Sequence, residues 1–193
     1  MEPRDRSAIF HRLVQGSGKS IVFVRTKATA EALSSSLNDA GVPTARLHGD
    51  LNQTQRSRNL ERFIKGSARV MVATDVAARG IDVADVTHVI NYECPDDEKT
   101  YLHRVGRTGR AGASGVAITL VDWQDINRWQ MINRMLGMDF NEPVETYSSS
   151  DHVYKGLGIP KGTTGELPGS ARTREGLAGE KLEDLGETGA NKG

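Results

Sequence analysis

The sequence predicts an α/β protein, with a parallel sheet covered by helices on both faces and a largely disordered C-terminal tail. Short apolar runs alternate with segments whose apolar residues recur at helical spacing, which is typical of right-handed crossovers between parallel strands. Of the 21 glycines in 193 residues, ten lie in residues 141–193, which contain no long apolar period. Such a segment cannot offset its ordering entropy. We therefore predict a folded body over residues 1–140 and a flexible tail over 141–193, with short contacts from residues 153–159 only.

The first part of the body predicts a helix, a strand and a second helix. Arg6–Gln15 carries apolar residues at helical spacing, and Ile21–Val24 is a continuous apolar run like those of buried parallel strands. Thr26 is a good N-cap for the second helix. The apolar face of that helix is formed by Ala30, Leu33, Leu37 and Ala40. Gly41 and Pro43 are expected to end it.

The middle of the body predicts strands at Thr44–Leu47 and Val70–Ala73, with the helix Gln53–Lys65 between them. We expect Leu60, Phe63 and Ile64 to face inward and the helix to end at Gly66.

The last part of the body predicts the strands Val86–Asn91 and Val116–Val121 around the helix Asp97–Val105. Asp122 is expected to cap a final helix that ends at Gly137. Its inward face is expected to be Trp123, Ile126, Trp129 and Ile132. Ligands of such sheets bind outside the carboxyl ends of the strands, which here follow Val24, Leu47, Ala73 and Asn91.

Composition excludes several classes of protein. The 25 basic and 25 acidic residues cancel, which excludes a strongly basic nucleic-acid binder by bulk charge but allows a local basic site. No run of about 18 apolar residues predicts a membrane span. The first residues are charged and lack the apolar region of a secretory signal. The single Cys94 has no partner for an internal disulfide, so we expect a buried thiol and a cytoplasmic protein.

The segment Gly16–Ser20 ends like a phosphate-binding loop, but we interpret it as a solvated turn. The full pattern needs a glycine where Leu13 stands, and it needs a strand before the loop and a helix after it. Here a helix precedes and a strand follows, so the chain contains no triphosphate cradle of its own.

Two polar segments carry the chemistry. In the first, Arg104, Arg107 and Arg110 recur every three residues, with glycines at 106, 109 and 112. Arginine presents a planar fork that matches phosphate, and glycine allows close backbone approach. The alternative, a charged helix end on a solvated face, explains this regularity poorly.

The second polar segment directly follows a buried strand and contains Thr74, Asp75, Arg79, Gly80 and Asp82. A carboxylate at this place can accept hydrogen bonds from ribose hydroxyls, and a threonine can donate one to a phosphate. A structural alternative is an Asp75–Arg79 ion pair that shapes the turn, since the two residues lie one helical turn apart. Both interpretations can hold together.

These segments resemble motifs V and VI of the DEAD-box RNA helicases. ATDVAARGIDV and YLHRVGRTGRAG carry the resemblance, IVFVRTK is similar to motif IV, and LHGDLNQTQR is similar to the block after it. The resemblance covers residues 5–140 and implies the second, C-terminal RecA-like domain of a two-domain enzyme. The sequence contains none of the Q-motif, Walker, DEAD and SAT sequences that belong to the first domain. His103 is typical of DEAD-box members, and residues 142–168 resemble bacterial RhlE-like helicases.

The resemblance also implies a role for each matched residue. Arg107 and Arg110 would be catalytic arginine fingers at the γ-phosphate of ATP, and Gly80 and Asp82 would contact its ribose and phosphates. His103 and Arg104 would hold the domain interface in its closed form, and of this set they are the first candidates for a merely structural role. The RNA backbone would be gripped by Arg25, Gln53, Arg56 and Thr74. The partners implied are RNA and the N-terminal RecA-like domain of the same polypeptide, which would hold the Mg²⁺ that accompanies ATP.

Two hypotheses from different classes follow. The chain is either the ATPase half-domain of a helicase, inactive without its partner domain, or a stand-alone RNA-binding or regulatory module derived from one. The arginines at 107 and 110 beside Asp82 favour the first hypothesis, because a module released from catalysis could have lost them.

Overall fold

The structure is a computed structural model, and it describes residues 3–16, 18–109, 114–147 and 150–155. The described chain forms five strands, β1 (Ser20–Val24), β2 (Thr44–Leu47), β3 (Val70–Thr74), β4 (His88–Asn91) and β5 (Val116–Thr119). The α-helices are α1 (Pro3–Gly16), α2 (Lys27–Asp39), α3 (Gln53–Ile64), α4 (Asp75–Ala78), α5 (Glu98–Val105), α6 (Ile126–Leu136) and α7 (Asp151–Lys155), with a 3₁₀ turn at Trp123–Asp125.

The strands form one sheet in the order β2-β3-β1-β4-β5, and every pairing is parallel. β1 is central, with Val24 opposite Thr74 on β3 and Phe23 opposite Asn91 on β4. The carboxyl ends of β1, β3 and β4 therefore meet at one edge. This arrangement confirms the predicted fold class.

Helices cover both faces of the sheet, because alternate residues of each strand point to opposite sides. Val22 and Val24 of β1 pack in a core with residues of α1 and α2. Ile21 and Phe23 lie in the second core, with Phe63 of α3. The continuous apolar pattern of β1 thus reflects burial on two sides.

Local signals begin and end several helices, at Thr26 and Gly137 as predicted and also at Asp97. The Thr26 hydroxyl accepts a hydrogen bond from the Thr29 amide and caps α2. Asp97 accepts a hydrogen bond from the Thr100 amide at the start of α5. Gly137 ends α6 in the left-handed conformation, with φ +62°, which glycine adopts without strain.

Two predictions of buried side chains are wrong. Ile64 is 51% exposed, because α3 turns Phe63 inward at its last turn and points the next residue to solvent. Trp123 is 65% exposed, because it lies in the 3₁₀ turn before α6. Asp122 makes no side-chain cap there and instead forms an ion pair with Arg6.

The described chain continues to pack beyond residue 140. Val153 on α7 is buried in the same core as α1 and α2. Residues 156–193, most of the predicted tail, lie outside the described residues, so the boundary at residue 140 stays a prediction. Among the helices described, none has the length and apolar character needed to cross a membrane.

Candidate functional site

Arg104 lies inside the domain at the carboxyl edge of the sheet. Its Nε and Nη2 donate to the two carboxylate oxygens of Asp75, each at 2.7 Å. Its Nη1 donates to Asn91 Oδ1 at 3.2 Å and to the Glu93 carbonyl at 2.9 Å. The guanidinium carbon stands 5.3 Å from the centre of the Phe23 ring, and the side chain is 2% exposed. We call these hydrogen-bonded residues, Arg104, Asp75, Asn91 and Glu93, the Arg104 network.

The Arg104 network corrects one expectation from the sequence and bears on a second. Asp75 pairs with Arg104 and not with Arg79, because α4 ends at Ala78 and Arg79 is already extended, with ψ 134°. The two residues are thus not one helical turn apart. Arg104 was expected to hold a domain interface or to be structural, and its donors bind groups of its own domain, which favours the structural role; the interdomain role stays a prediction. His103 beside it is exposed, and its predicted interdomain role stays a prediction.

Arg107 lies one turn beyond Arg104 and joins the two polar segments. Its Nη1 donates to the carbonyl of Ile81 at 2.6 Å. Next to it, the Thr108 hydroxyl donates to the Val86 carbonyl at 2.5 Å. The structure therefore places Arg107 beside residues 80–82. Arg110 lies outside the described residues.

A small cavity of about 50 Å³ opens beside Arg107. Its walls come from the start of α4 and from α5, and they include Asp75, Arg79, His103 and Arg107. Gly80 follows at φ +74° in open space, and Asp82 is exposed. Gly80 and Asp82 flank Ile81, whose carbonyl binds Arg107, so a guanidinium, an open backbone and a carboxylate lie close together along the chain. They fit one wall of a nucleotide site.

The residues predicted to bind RNA lie around the start of α3 and the end of β3. Thr74 is half-buried and precedes α4 without a side-chain cap hydrogen bond. Arg56 Nη2 donates to the Ala77 carbonyl at 2.8 Å, which attaches α3 to α4. Gln53 is exposed at the first turn of α3. The structure thus brings Gln53, Arg56 and Thr74 to one region.

Arg25, the fourth residue predicted to bind RNA, is held by its own domain. Its Nη2 donates to the Cys94 carbonyl at 2.9 Å and to Asp125 Oδ1 at 3.2 Å. Its amide donates to Glu93 Oε2 at 2.5 Å. The side chain is about one-third exposed, so part of the guanidinium still faces solvent.

Sequence reasoning missed the acceptors that position these arginines. Asn91, Glu93 and Asp125 accept from Arg104 and Arg25, and each acceptor is remote in sequence from its arginine. Asn91 carried a usable signal, because it is the one polar residue in the buried end of an apolar strand. Backbone carbonyls such as those of Ala77 and Ile81 carry no signal in a sequence.

The segment Gly16–Ser20 links a helix to a strand in the order that the sequence predicted, although its last residue, Ser20, is already buried in β1. Lys19 lies just before β1 and is occupied elsewhere. Its Nζ donates to the Ile64 carbonyl at 3.1 Å and lies 5.1 Å from the centre of the Phe63 ring. Across the described ranges, no group of three His, Cys, Asp or Glu side chains is placed to hold a metal ion.

Comparison with known proteins agrees with the geometry. Residues 5–112 match the helicase conserved C-terminal domain. The chain is 45% identical over 121 residues to the DEAD-box ATP-dependent RNA helicase CshB of Listeria monocytogenes, covering 63% of this chain and 28% of that protein.

Solved structures match as well. The E. coli DEAD-box protein SrmB, crystallised with a regulator of ribonuclease activity, superposes with a TM-score of 0.68 at 36% identity, covering 77% of this chain and 93% of that one. Dbp5 of S. cerevisiae, bound to RNA and ADP BeF3, superposes with a TM-score of 0.65 at 39% identity, covering 69% of this chain and 37% of that one.

The chain belongs to the helicase conserved C-terminal domain family, and its fold is RecA-like. Within that family its relatives are DEAD-box RNA helicases. The chain spans about a quarter of the length of the relatives it matches. Because these relatives include bacterial and yeast proteins, the RhlE-like subtype is not confirmed.

Proposed function

We propose that this chain acts as the second RecA-like domain of an ATP-dependent RNA helicase, with an N-terminal RecA-like domain in the same polypeptide. It supplies arginine fingers to ATP and grips the backbone of single-stranded RNA. The observation that carries the proposal is the hydrogen bond from Arg107 to the Ile81 carbonyl. This bond keeps the positively charged guanidinium of Arg107 beside Gly80 and Asp82.

The nucleotide face consists of Gly80, Asp82, Arg107 and Arg110. The carboxylate of Asp82 suits ribose hydroxyls, and the open backbone at Gly80 leaves room for a sugar or phosphate. Arg107 brings a planar, permanently charged group to the place where a γ-phosphate from the opposite domain would arrive. Mg²⁺ belongs with the nucleotide and is assigned to the N-terminal domain.

The RNA face consists of Arg25, Gln53, Arg56 and Thr74. Its hydroxyl, amide and guanidinium groups suit sugar–phosphate contacts, which provide affinity without sequence preference. Dbp5, which superposes on this chain, was solved with RNA and a nucleotide analogue. A cytoplasmic location is in keeping with this role and stays a prediction.

One short segment connects the two faces. Arg56 binds the Ala77 carbonyl and Arg107 binds the Ile81 carbonyl, four residues further along the same stretch of chain. A shift of residues 74–82 therefore moves groups of both faces together. This gives a physical route by which RNA and ATP binding are coupled through domain closure.

The proposal is tested by changing Arg107 in this chain joined to a cognate N-terminal helicase domain. Arg107→Ala is expected to lower RNA-stimulated ATP hydrolysis by about 10³-fold or more, as loss of an arginine finger does. Arg107→Lys should restore little, because an ammonium lacks the planar fork. The matched control is Arg58→Ala, an exposed arginine of α3, which should leave hydrolysis unchanged.

Arg56→Ala separates the two faces. It is expected to raise the RNA concentration that half-stimulates hydrolysis and to reduce the salt dependence of RNA binding by about one phosphate contact. The assignment of two faces is wrong if Arg56→Ala and Arg107→Ala give the same kinetic defect, or if Arg107→Ala unfolds the domain in circular dichroism.

A further inference from the structure

β5 is the outermost strand of the sheet, and its free side is open. The amides of Val116 and Leu120 donate to the carbonyls of Thr87 and Asn91, on the side of β4. Backbone groups alternate in direction along a strand, so those of Ala117 and Thr119 point away from the sheet. Within the part of the chain that the structure describes, these two amides have no hydrogen-bond partner.

An apolar groove of about 400 Å³ runs along this open edge. Side chains of α1, β5, α6 and the segment 140–153 line it, among them Leu13, Ile118, Trp129, Phe140 and Val153. We call it the β5 groove. Phe140 and Val144 are largely exposed, and the residues of β5 are less buried than those of the other strands. A parallel strand is normally covered on both faces, so this edge is incomplete.

The chain itself contains a segment that fits. The described residues end at Lys155, two positions after Val153, which already lines the groove. Gly156-Leu-Gly-Ile-Pro160 comes next. Among residues 156–193, Leu157 and Ile159 are the only large apolar pair spaced two apart, and no charge separates them. Such spacing places both side chains on one face of an extended strand.

We infer that residues 156–159 dock as a short sixth strand on β5, with Leu157 and Ile159 in the β5 groove. The distance is feasible, because four extended residues reach about 13 Å. The backbone of the segment supplies partners for the amides of Ala117 and Thr119. Pro160 then ends the strand, since it has no N–H to donate. This docking concerns the lateral edge of the sheet at β5 and uses none of the residues assigned to the nucleotide or RNA face, so it does not depend on the proposed function.

Hydrogen exchange of the full 193-residue chain tests the inference. The amides of Ala117 and Thr119 are expected to exchange at least about tenfold more slowly in the native chain than in the double variant Leu157→Asp/Ile159→Asp. The charges oppose burial in an apolar groove. The matched control is Leu167→Asp, because Leu167 lies in the same region without an apolar neighbour two residues away. It should leave both amides protected.

Three results would overturn the inference. The first is rapid exchange of Ala117 and Thr119 in the native chain, since the edge is then open. The second is unchanged protection in the double variant, since another segment then covers the edge. The third is protection that rises with protein concentration, which assigns the groove to a second copy. The amide of Val22, in the centre of the sheet, should stay protected throughout and shows that each variant is folded.

Discussion

Two ion pairs of similar chemistry lie in contrasting surroundings at the carboxyl edge of the sheet. In the Arg104–Asp75 pair the arginine side chain is 2% exposed and every donor nitrogen has an acceptor. In the Lys27–Asp50 pair, beside β2, the side chains are 61% and 60% exposed. Burial makes the first pair costly to break, whereas water and salt screen the second. Similar contacts in the two regions therefore have different consequences for stability.

The sharpest test of this contrast is Arg104→Ala. We expect the free energy of unfolding to fall by about 3 kcal/mol, the lower end for a broken buried pair, because Asp75 keeps some contact with water. Urea unfolding followed by circular dichroism measures the loss. Arg104→Lys keeps the charge but loses the planar fork. Its free energy of unfolding should lie between those of the native protein and Arg104→Ala. A change below about 1 kcal/mol would contradict the assigned role of the Arg104 network.

Cys94 reports on the same buried region. Burial, then the negative charge of Asp125, raise the pKa of its thiol to about 11. At pH 8 the reactive thiolate is then about 100-fold rarer than for an ordinary cysteine. Labelling by a disulfide reagent should be slow in the native protein and fast in urea, and its rate should rise with pH up to about 11. Rapid native labelling at pH 8 would show that this region opens easily.

The smallest expected effect is that of Lys27→Ala. The hydrogen bond from Lys27 lowers the pKa of the Asp50 carboxyl, and removing it should raise that pKa toward its ordinary value. The lowered pKa of Asp50 adds to the free energy of unfolding at pH values above the pKa that this carboxyl has in the unfolded chain. The contribution is lost as the pH falls through its pKa in the folded protein. NMR titration of Asp50 measures the shift, and the urea midpoint at neutral pH should fall only slightly, because the pair is exposed and screened. A loss of unfolding free energy in Lys27→Ala as large as that in Arg104→Ala would show that the exposed and buried pairs contribute equally to stability.

Periodicity and capping predicted most of the fold. The five strands and the cap at Thr26 follow from short-range patterns, and the structure confirms them. Asp97 was expected inside its helix and is instead the N-cap. The predictions for Ile64 and Trp123 were wrong because each residue stands at one end of its helical pattern. There the adjoining segment decides the direction of the side chain. The four-residue helix α4 is too short to have a period.

The candidate site was predicted less completely. The resemblance to the DEAD-box helicases implied one site for Arg107, Gly80 and Asp82, and in the structure Arg107 bonds to the carbonyl of Ile81 between them. The burial of Arg104 did not follow, because its partner Asp75 is 29 residues away and only the folded sheet brings them together. The sequence shows which arginines are present, whereas the fold decides which of them face outward.

The order of the strands also affects how the protein is made. β1 lies at the centre of the sheet but leaves the ribosome first among the strands, and its neighbour β3 begins at Val70. Synthesis at up to about 20 residues per second leaves β1 without either neighbour for at least about 2–3 s. During that interval an apolar, β-branched strand has two unpaired edges, which is the condition that favours aggregation. The nascent chain therefore depends most on chaperones between the emergence of Val24 and that of Thr74.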